Sequence, residues 1–355
     1  MKKITIDDME RIDRNNMYKV IRDFPKQVAE AIKIGDKAPA LARKSNDFLI
    51  LGMGGSAIGG DILASYSANT DTLRHLRINI NRDYDIPGYI NSATAVIASS
   101  YSGGTEETIS ALRKAVQVTD NILCITTGGE LGAIADKKLY TKVNIPGGLM
   151  PRCALGYSFF TMLKIVLKTA ELTKNAIESI NLSIENTIKL LEEKSKIYSL
   201  PQDGNPAYDI AKSLYNTLPV VYSSNRLSTI NMRWRAQFQE NAKNLAFGNI
   251  LPEMSHNEIN SWSNPAHLLN NFSVILLIDR DDNEKVIKRM NAVEAILTEK
   301  SVKVLKIESN ADDYLARMFD LIYLGDWVSY FLAIFNQEDP TPIPLISKLK
   351  ELVAK

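Results

Sequence analysis

The sequence predicts an α/β protein made of two parallel sheets, each sandwiched by helices. Between residues 47 and 170, short apolar runs alternate with stretches of helical spacing. Such alternation produces right-handed crossovers and a parallel sheet. After residue 218, a second and shorter series of strands and helices repeats this arrangement without an obvious sequence period. At 355 residues, the chain has the length of two ordinary domains.

We divide the chain into a helical lead-in at 1–35, a first domain at 36–200 and a second domain at 201–355. The lead-in has helical spacing, is interrupted at Pro25, and is expected to pack against the first domain. The strands predicted in the first domain are 48–51, 76–80, 95–99, 121–126 and 142–145, and its helices include 158–172 and 175–198. A turn-rich segment at 201–206 separates the domains.

In the second domain, the predicted strands are 218–223, 273–279 and 302–308, and the predicted helices are 228–247, 284–300, 324–335 and 345–354. The helix at 228–247 has an apolar face and a polar face, and the polar face carries Arg233, Gln237, Glu240 and Asn244. Glu240 on such a face is either a catalytic base or a solvated glutamate that pairs with Arg233 or Lys243.

The composition excludes several classes of protein. The chain has 42 basic and 41 acidic residues, which gives no broad attraction to nucleic acid or to an acidic membrane. Its two cysteines, Cys124 and Cys153, supply neither a disulfide framework nor a metal cluster. No stretch is expected to reach the roughly 18 apolar residues of a membrane span, and the N-terminus lacks the apolar core of a signal peptide. We therefore expect a cytoplasmic protein without nucleic-acid or membrane partners.

A glycine-rich segment at 52–60 lies between the first predicted strand and a helix. Gly54 and Gly55 allow an anion to approach the backbone N–H groups, and the Ser56 hydroxyl adds a donor. The segment lacks the Lys-Ser/Thr pair of a nucleoside-triphosphate loop. The next strand ends near Asn81, where a dinucleotide site would need an acidic residue. A small anion is therefore favoured over a nucleotide.

A second turn, after the third strand, is rich in hydroxyl groups. Ser100, Ser102 and Thr105 are separated by Gly103 and Gly104 at the start of a helix. Three hydroxyls and free backbone N–H groups suit a compact phosphate monoester. The same residues also fit an ordinary capped turn.

Two further residues are candidates for acid–base and electrostatic roles. His256 follows Pro252 in a predicted loop, where catalytic groups are common; His75 and His267 are interpreted as structural. Arg152 follows a Gly-Gly pair near a helix start, where it either holds an anionic intermediate or caps a loop. The sequence has neither the spacing of a zinc site nor a Gly-x-Ser-x-Gly nucleophile turn.

Six motifs occur in order along nearly the whole chain: GGS at 54–56, SxSxxT at 100–105, PRxALGY at 151–157, ENAK at 240–243, SHNE at 255–258 and DPTP at 339–342. Together they resemble the bifunctional phosphoglucose/phosphomannose isomerase family, which is built from two sugar isomerase (SIS) domains. The first two motifs also occur in other SIS proteins. The assignment therefore depends on 151–157 and 240–258.

The resemblance implies a metal-independent aldose–ketose isomerase that uses no cofactor. Such an enzyme interconverts glucose 6-phosphate, and also mannose 6-phosphate, with fructose 6-phosphate through a cis-enediol. The residues implied in phosphate binding are Gly54, Gly55, Ser56, Ser100, Ser102 and Thr105.

The resemblance also implies the catalytic residues. Glu240 would carry a proton between C1 and C2, and Arg152 would stabilise the enediolate. His256 and Lys350 would assist ring opening, with Lys348 as the alternative lysine. The family further implies a homodimer in which His256 reaches in from the partner subunit.

Two other functions remain open from the sequence. One is a non-catalytic SIS regulator that binds a sugar phosphate, and the other is an SIS isomerase of a different sugar phosphate. A regulator usually carries a DNA-binding module, for which the first 35 residues are short and lack a basic bias.

Overall fold

The computed structural model describes residues 3–353. The strands are β1 (Asp47–Leu51), β2 (Arg77–Asn81), β3 (Ala95–Ser100), β4 (Ile122–Thr126), β5 (Thr141–Asn144), β6 (Leu218–Ser224), β7 (Phe247–Leu251), β8 (Phe272–Ile278) and β9 (Lys303–Glu308). The helices are α1 (Ile6–Ile12), α2 (Met17–Arg22), α3 (Phe24–Lys37), α4 (Gly54–Ala68), α5 (Glu106–Ala115), α6 (Gly129–Lys138), α7 (Leu155–Thr169), α8 (Lys174–Tyr198), α9 (Pro206–Leu214), α10 (Ser228–Glu240), α11 (Glu258–Ser261), α12 (Glu284–Glu299), α13 (Tyr314–Phe335) and α14 (Pro344–Val353).

The chain forms two compact units. The first-sheet unit contains Asp23–Lys189 and Asp313–Ala316, and the second-sheet unit contains the other described residues. The units divide within α8, after Lys189. The domain boundary at residue 200 remains a prediction.

The first sheet has the strand order β2-β1-β3-β4-β5, and every pair is parallel. The strands β1, β3 and β4 lie inside the sheet and are almost wholly buried, because apolar residues fill both of their faces. The edge strand β2 alternates polar and apolar residues and is largely exposed or half-buried. The predicted α/β class and the five predicted strands are confirmed, with small shifts at the strand ends.

The strand order defines where this sheet offers a binding crevice. β1 pairs with β2 on one side and with β3 on the other. The connections that leave β1 and β3 therefore run in opposite directions, and open α/β sheets bind ligands outside the carboxyl ends of such strands. The segments at this point are the hydroxyl-rich turn at 100–105 and the glycine-rich segment at 52–60. The turn in the glycine-rich segment is shorter than predicted, because α4 already begins at Gly54.

The second sheet has the order β7-β6-β8-β9, again with parallel pairs only. Its first strand, β6, also lies between the second and third strands of the unit, as β1 does in the first sheet. The topology therefore agrees with the repeated arrangement predicted from the sequence. Residues 247–251 form the edge strand β7, a strand that was not predicted from the sequence.

The helix predicted at 228–247 is too long. α10 ends at Glu240, and Lys243 takes a left-handed backbone conformation with φ of 52°. Pairing with β6 supplies the backbone hydrogen bonds of residues 247–251, and helical spacing alone does not reveal such a partner. Leu245, which lies inside the predicted helix range, is 63% exposed.

The predicted lead-in divides between the two units. In the second-sheet unit, the Ile4 N–H donates to the Tyr208 hydroxyl at 3.1 Å, and Arg11 donates to the Gln337 side chain. In the first-sheet unit, Lys168 Nζ donates to carbonyls at the end of α3, where a cation is favourable. The expectation that the whole lead-in packs against the first domain is therefore wrong for α1 and α2.

α13 supplies much of the core of the second-sheet unit. Among residues 3–353, it is the helix that is long and apolar enough to cross a membrane, although the sequence was not expected to contain such a stretch. Its most apolar window is entirely buried inside the protein, as in the core helix of a folded domain. The helix also carries two buried carboxylates, Asp320 and Asp326.

Candidate active site

The glycine-rich turn brings the N-terminus of α4 against the chain near Arg152. Gly54 has a positive φ of 48°, which favours glycine. A Cβ atom at Gly55 would lie 2.6 Å from the Pro151 carbonyl oxygen and 2.8 Å from the Arg152 nitrogen. Any side chain at residue 55 would therefore force the two segments apart. Gly55 is therefore required by its contact with the backbone of Pro151 and Arg152, while the approach of an anion to Gly54 and Gly55 stays a prediction.

Ser56 connects the first turn to the second. Its hydroxyl accepts a hydrogen bond from the Tyr101 backbone N–H at 3.0 Å, and the side chain is buried. Because a hydroxyl also carries one proton of its own, Ser56 can accept from Tyr101 and still donate to an anion.

The hydroxyl-rich turn contains one buried and two more accessible side chains. Ser100 is fully buried, and its Oγ lies 2.8 Å from Thr105 Oγ1 and accepts from the Gly103 N–H. Ser102 is exposed and accepts from the Gly104 N–H at 3.3 Å. Ser102 and the half-buried Thr105 are therefore the accessible hydroxyls, whereas Ser100 orients Thr105.

Tyr101 organises this region and was missed by the sequence analysis. Its hydroxyl donates to the Pro146 carbonyl and accepts from the Leu149 N–H, both at 3.0 Å. Its carbonyl accepts from the backbone and the side chain of Thr127. Burial raises the pKa of Tyr101, so the hydroxyl keeps the proton that it donates. An aromatic residue inside a Ser/Gly turn was the available signal.

Arg152 lies in a short 3₁₀ turn, Pro151–Cys153, and is 4% exposed. The amide of Gln27 holds this turn, because its Nε2 donates to the Cys153 carbonyl at 2.9 Å and its Oε1 accepts from the Gly156 N–H at 2.7 Å. The arginine is thus fixed in the same unit as the two turns. A buried arginine whose backbone packs against the N-terminus of a helix suits an anionic ligand.

The helix N-termini at this edge of the sheet add to its positive potential. The N-cap residues of α4, α5 and α6 are Met53, Thr105 and Gly128, and none of them caps its helix with a side-chain hydrogen bond. Gly103 and Gly128 approach so closely that a Cβ at Gly103 would lie 1.9 Å from the Gly128 carbonyl oxygen. Backbone N–H groups and helix dipoles at such termini attract phosphate.

The matching edge of the second sheet is occupied by ion pairs. Asp279, which follows β8, accepts from Arg226 Nε at 3.0 Å and from Arg317 Nε at 2.8 Å. Burial acts to raise the pKa of Asp279, but hydrogen bonds from Arg317 and the Asp281 backbone hold it below its usual value. The carboxylate is therefore ionised and neutralises cations that would otherwise attract a phosphate. This contrast favours the first sheet as the phosphate site.

Glu240 is the last residue of α10 and is half-buried. The face that was predicted to be polar is not a solvated face, since Arg233 and Gln237 are each 3% exposed. Both donate to Asp326 of α13, at 2.7 Å and 2.8 Å. Asn244 lies beyond the end of the helix, so its predicted place on that face is also wrong.

His256 ends the 3₁₀ turn Glu253–His256 and is exposed. Two residues later, the Glu258 carboxylate accepts from the Tyr222 hydroxyl at 2.5 Å and from Asn249 Nδ2 at 2.6 Å. Burial, with a further contribution from Glu258, raises the pKa of Tyr222, so Tyr222 remains a donor. The loop that carries His256 is therefore anchored at Glu258.

The remaining histidines and the two candidate lysines lie in turns or on an exposed helix. His75 lies in a turn before β2, and His267 lies in the 3₁₀ segment Ala266–Asn271. Lys348 and Lys350 are exposed on α14, and at about 100° per residue they flank its apolar stripe on opposite sides. Helix geometry therefore does not choose between them.

Within residues 3–353, no group of three or more His, Cys, Asp or Glu side chains could hold a metal ion.

The chain is similar in sequence to proteins named bifunctional phosphoglucose/phosphomannose isomerase. The protein from Caldicellulosiruptor bescii is 38% identical over 345 residues, which are 96% of this chain and 99% of that protein. The protein from Aquifex aeolicus is 33% identical over 343 residues, which are 96% and 98% of the two chains. The family model described as the bacterial phospho-glucose isomerase C-terminal SIS domain matches residues 203–353.

The fold is similar to that of a hypothetical protein from Thermus thermophilus. The TM-score is 0.74, and the match covers 98% of this chain and 94% of that chain. The sequence identity is 16%, so this likeness supports the fold alone.

Proposed function

This chain belongs to the bifunctional phosphoglucose/phosphomannose isomerase family, and on that premise we propose that it interconverts glucose 6-phosphate and mannose 6-phosphate with fructose 6-phosphate. The observation that carries the proposal is the pair of turns after β1 and β3. Hydroxyls and helix N-termini lie together at these turns, and Gly55 packs against the backbone of the buried Arg152.

The proposed phosphate site consists of backbone and hydroxyl donors. The N–H groups of Gly54 and Gly55 and the hydroxyls of Ser56, Ser102 and Thr105 bind the phosphate oxygens, and Ser100 orients Thr105. Binding energy from a non-reacting phosphate can be used to orient the reacting carbons. The phosphate would therefore contribute to the rate as well as to affinity.

The proposed chemistry is a proton transfer through a cis-enediol, without a metal or cofactor. His256 and Lys350 exchange protons with the ring oxygen and a sugar hydroxyl, which opens the ring. Glu240 then removes the proton next to the carbonyl carbon and returns it to the neighbouring carbon. Arg152 stabilises the negative oxygen that develops during this transfer. Glucose and mannose 6-phosphates differ only at C2, and therefore share one enediol.

A coupled assay with purified protein tests this function. We expect fructose 6-phosphate from both aldose phosphates, with activity that survives EDTA. Glucosamine 6-phosphate and arabinose 5-phosphate are the matched control substrates, because they would be turned over by an amino-sugar or pentose-phosphate isomerase. Binding of hexose phosphates without turnover would instead indicate a sugar-phosphate sensor, and loss of activity in EDTA would contradict the metal-independent mechanism.

We also propose that the protein is a homodimer in which His256 acts across the interface. One supporting observation is the apolar stripe of α14, where Leu345, Leu349 and Leu352 are 80%, 59% and 59% exposed. Such a patch on a helix indicates a partner. Two copies of one chain usually associate through the same surface on each subunit.

We expect a Leu349→Asp/Leu352→Asp double variant to be monomeric at concentrations at which the wild type is a dimer, because each new carboxylate would be buried in the interface. Light scattering after gel filtration measures the mass. The matched control is Ser347→Asp, which adds a charge to the opposite side of the same exposed helix and should leave the dimer intact. A monomeric wild type, or a double variant that remains dimeric, would contradict the role of this stripe.

A cytoplasmic location and a place in glycolysis and gluconeogenesis complete the proposal. Cys124 and Cys153 are thiols and are not joined in a disulfide, as is usual in a reducing compartment. Interconversion of the 6-phosphates of glucose and fructose is a step of both pathways.

A further inference from the structure

Three buried polar side chains of α10 and the turn after it lie four residues apart. Arg233, Gln237 and Asn241 are 3%, 3% and 0% exposed, and this spacing puts them on one side of the helix. Each of them binds α13 in the same unit. Arg233 Nη2 donates to one Asp326 oxygen at 2.7 Å, Gln237 Nε2 donates to the other at 2.8 Å, and Asn241 Nδ2 donates to Ser329 Oγ at 2.9 Å.

We call these three side chains and their hydrogen bonds to α13 the ladder. The ladder joins the two helices through polar groups whose burial is unfavourable. The Asp326 side chain is 8% exposed and lies in a helix that is otherwise largely apolar. The desolvation penalty of burying a charged pair offsets much of the electrostatic attraction within the pair. Well-packed apolar residues in the same place are therefore often as stabilising. Hydrogen bonds are directional, however, so the ladder constrains how α10 is oriented against α13. Its bonds leave consecutive turns of α10, so they fix the rotation and the register of α10 against α13.

Glu240 lies between the last two members of this set, Gln237 and Asn241. Gln237 lies three residues before Glu240 and Asn241 directly follows it, so two bonds to α13 bracket the carboxylate-bearing residue. The following turn is also held, since Asn336 Nδ2 donates to the Ala242 carbonyl at 3.0 Å. The last turn of a helix commonly frays. These contacts oppose fraying at the residue that must be placed accurately.

We propose that Asp326 is a positioning residue that holds the Glu240 carboxylate in its reactive orientation. The inference depends on the proposed role of Glu240 as the base. Asp326 itself exchanges no proton with the substrate and acts only through α10. Since a displacement of about 1 Å can lower a rate by about two orders of magnitude, a loosened helix end would lower kcat. The proposed phosphate-binding residues are elsewhere in the chain, so KM should change little.

The first test is Asp326→Asn, which keeps the shape of the side chain but turns an NH₂ group toward a donor and removes the negative charge that Asp326 offers to Arg233. We expect kcat for fructose 6-phosphate to fall by about tenfold to a hundredfold with nearly unchanged KM. The matched control is Asp320→Asn. Asp320 is equally buried on the same helix, but its carboxylate accepts from Tyr198 and Ser309 instead of α10. This control should lose comparable stability and keep its kcat.

A second variant separates positioning from stability. In Arg233→Met/Gln237→Leu/Asp326→Leu, apolar side chains replace the buried polar contacts, and thermal stability should return to near the wild-type value or above it. We expect kcat to remain low, because apolar contacts do not fix rotation as directed hydrogen bonds do. Recovery of kcat together with stability would overturn the proposal, as would an equal loss of kcat in Asp320→Asn.

A double-mutant cycle with Glu240→Gln distinguishes failure of this inference from failure of the proposed function. If Asp326 acts through Glu240, Asp326→Asn should lower kcat no further in a Glu240→Gln background, because the two effects are then not additive. An equal loss in both backgrounds would overturn the positioning role and leave the role of Glu240 intact. Full activity of Glu240→Gln alone would instead reject Glu240 as the base, and the inference with it.

Discussion

Glu240→Gln is expected to lower kcat for every hexose 6-phosphate by about two to four orders of magnitude, the usual contribution of a positioned acid–base group. Glutamine fills nearly the same space as glutamate but cannot accept the proton from the carbon next to the carbonyl. KM should change far less, because the hydroxyls and N–H groups proposed to bind the phosphate are untouched. Initial rates with fructose 6-phosphate in a coupled assay give both constants.

Glu299→Gln is the matched control for this variant. It makes the same chemical change at an exposed position at the end of α12, in the second-sheet unit, and should retain wild-type kinetics. Exchange of the C1 or C2 hydrogen with solvent, followed by NMR, offers a direct measure of the proton transfer and should slow in parallel with kcat. If Glu240→Gln exchanged this hydrogen at the wild-type rate, another group would be the base.

The same variant also tests which subunit supplies His256. Glu240→Gln and His256→Ala chains are inactive separately in this mechanism. If His256 acts across a two-fold interface, a mixed dimer has one site with both native residues, so random mixing should restore about a quarter of the wild-type activity. If His256 and Glu240 of one chain act together, every site lacks one of them and mixing should restore nothing.

Arg152→Met is expected to lower kcat by about two to three orders of magnitude, the cost typical of losing one preorganised oxyanion stabiliser. The side chain is 4% exposed and its turn is held by Gln27 and Gly55, so the cation needs little reorganisation when negative charge develops. Arg152→Lys should recover only part of the rate, because an ammonium group keeps the charge but not the planar pair of donors.

Binding measurements make this prediction more specific. A planar anionic analogue of the enediolate should lose affinity for Arg152→Met in proportion to the loss of kcat, as transition-state analogues do. Inorganic phosphate should bind almost as well as to the wild type. The control variant is Arg74→Lys, because Arg74 is an exposed arginine in the same unit. Equal losses for the analogue and for phosphate would assign Arg152 to phosphate binding instead of the enediolate.

The parallel strands and their turns were predictable because each depends on local sequence. A short apolar run such as 95–99, bounded by polar residues, is typical of a strand that is buried on both faces inside a parallel sheet. Parallel strands expose their carboxyl ends at one edge, so Ser56 and Ser100 were expected near each other without any knowledge of the contact between them. The structure shows how the two segments are connected: the N–H of Tyr101, the residue after Ser100, donates to the Ser56 hydroxyl.

The end of α10 was not predictable in the same way. The helical spacing of apolar residues predicted that the helix continues to Phe247. In the structure Phe247 pairs with Val220 of β6 and belongs to a strand. The same limitation applied to Arg233 and Gln237, which were predicted to lie on the polar face of the helix and are buried. Their partner, Asp326, is about ninety positions away in sequence, and no local pattern identifies it. A carboxylate in an apolar helix was the only signal that a buried polar partner exists.

The resemblance of the six motifs to a known family implied the sugar-phosphate chemistry. The residues of the sequence by themselves determined the α/β class, the glycine-rich and hydroxyl-rich segments, and the hydroxyl groups that suit a compact phosphate. These follow from short-range periodicity and backbone sterics, which act within a few residues. Only the tertiary structure decided that Ser100 is buried behind Thr105, that Gly55 packs on the Pro151 carbonyl, and that the buried polar groups of α10 are directed at Asp326. Hydrogen bonds and burial depend on the partner that folding brings into contact, so their geometry is decided only when distant segments meet.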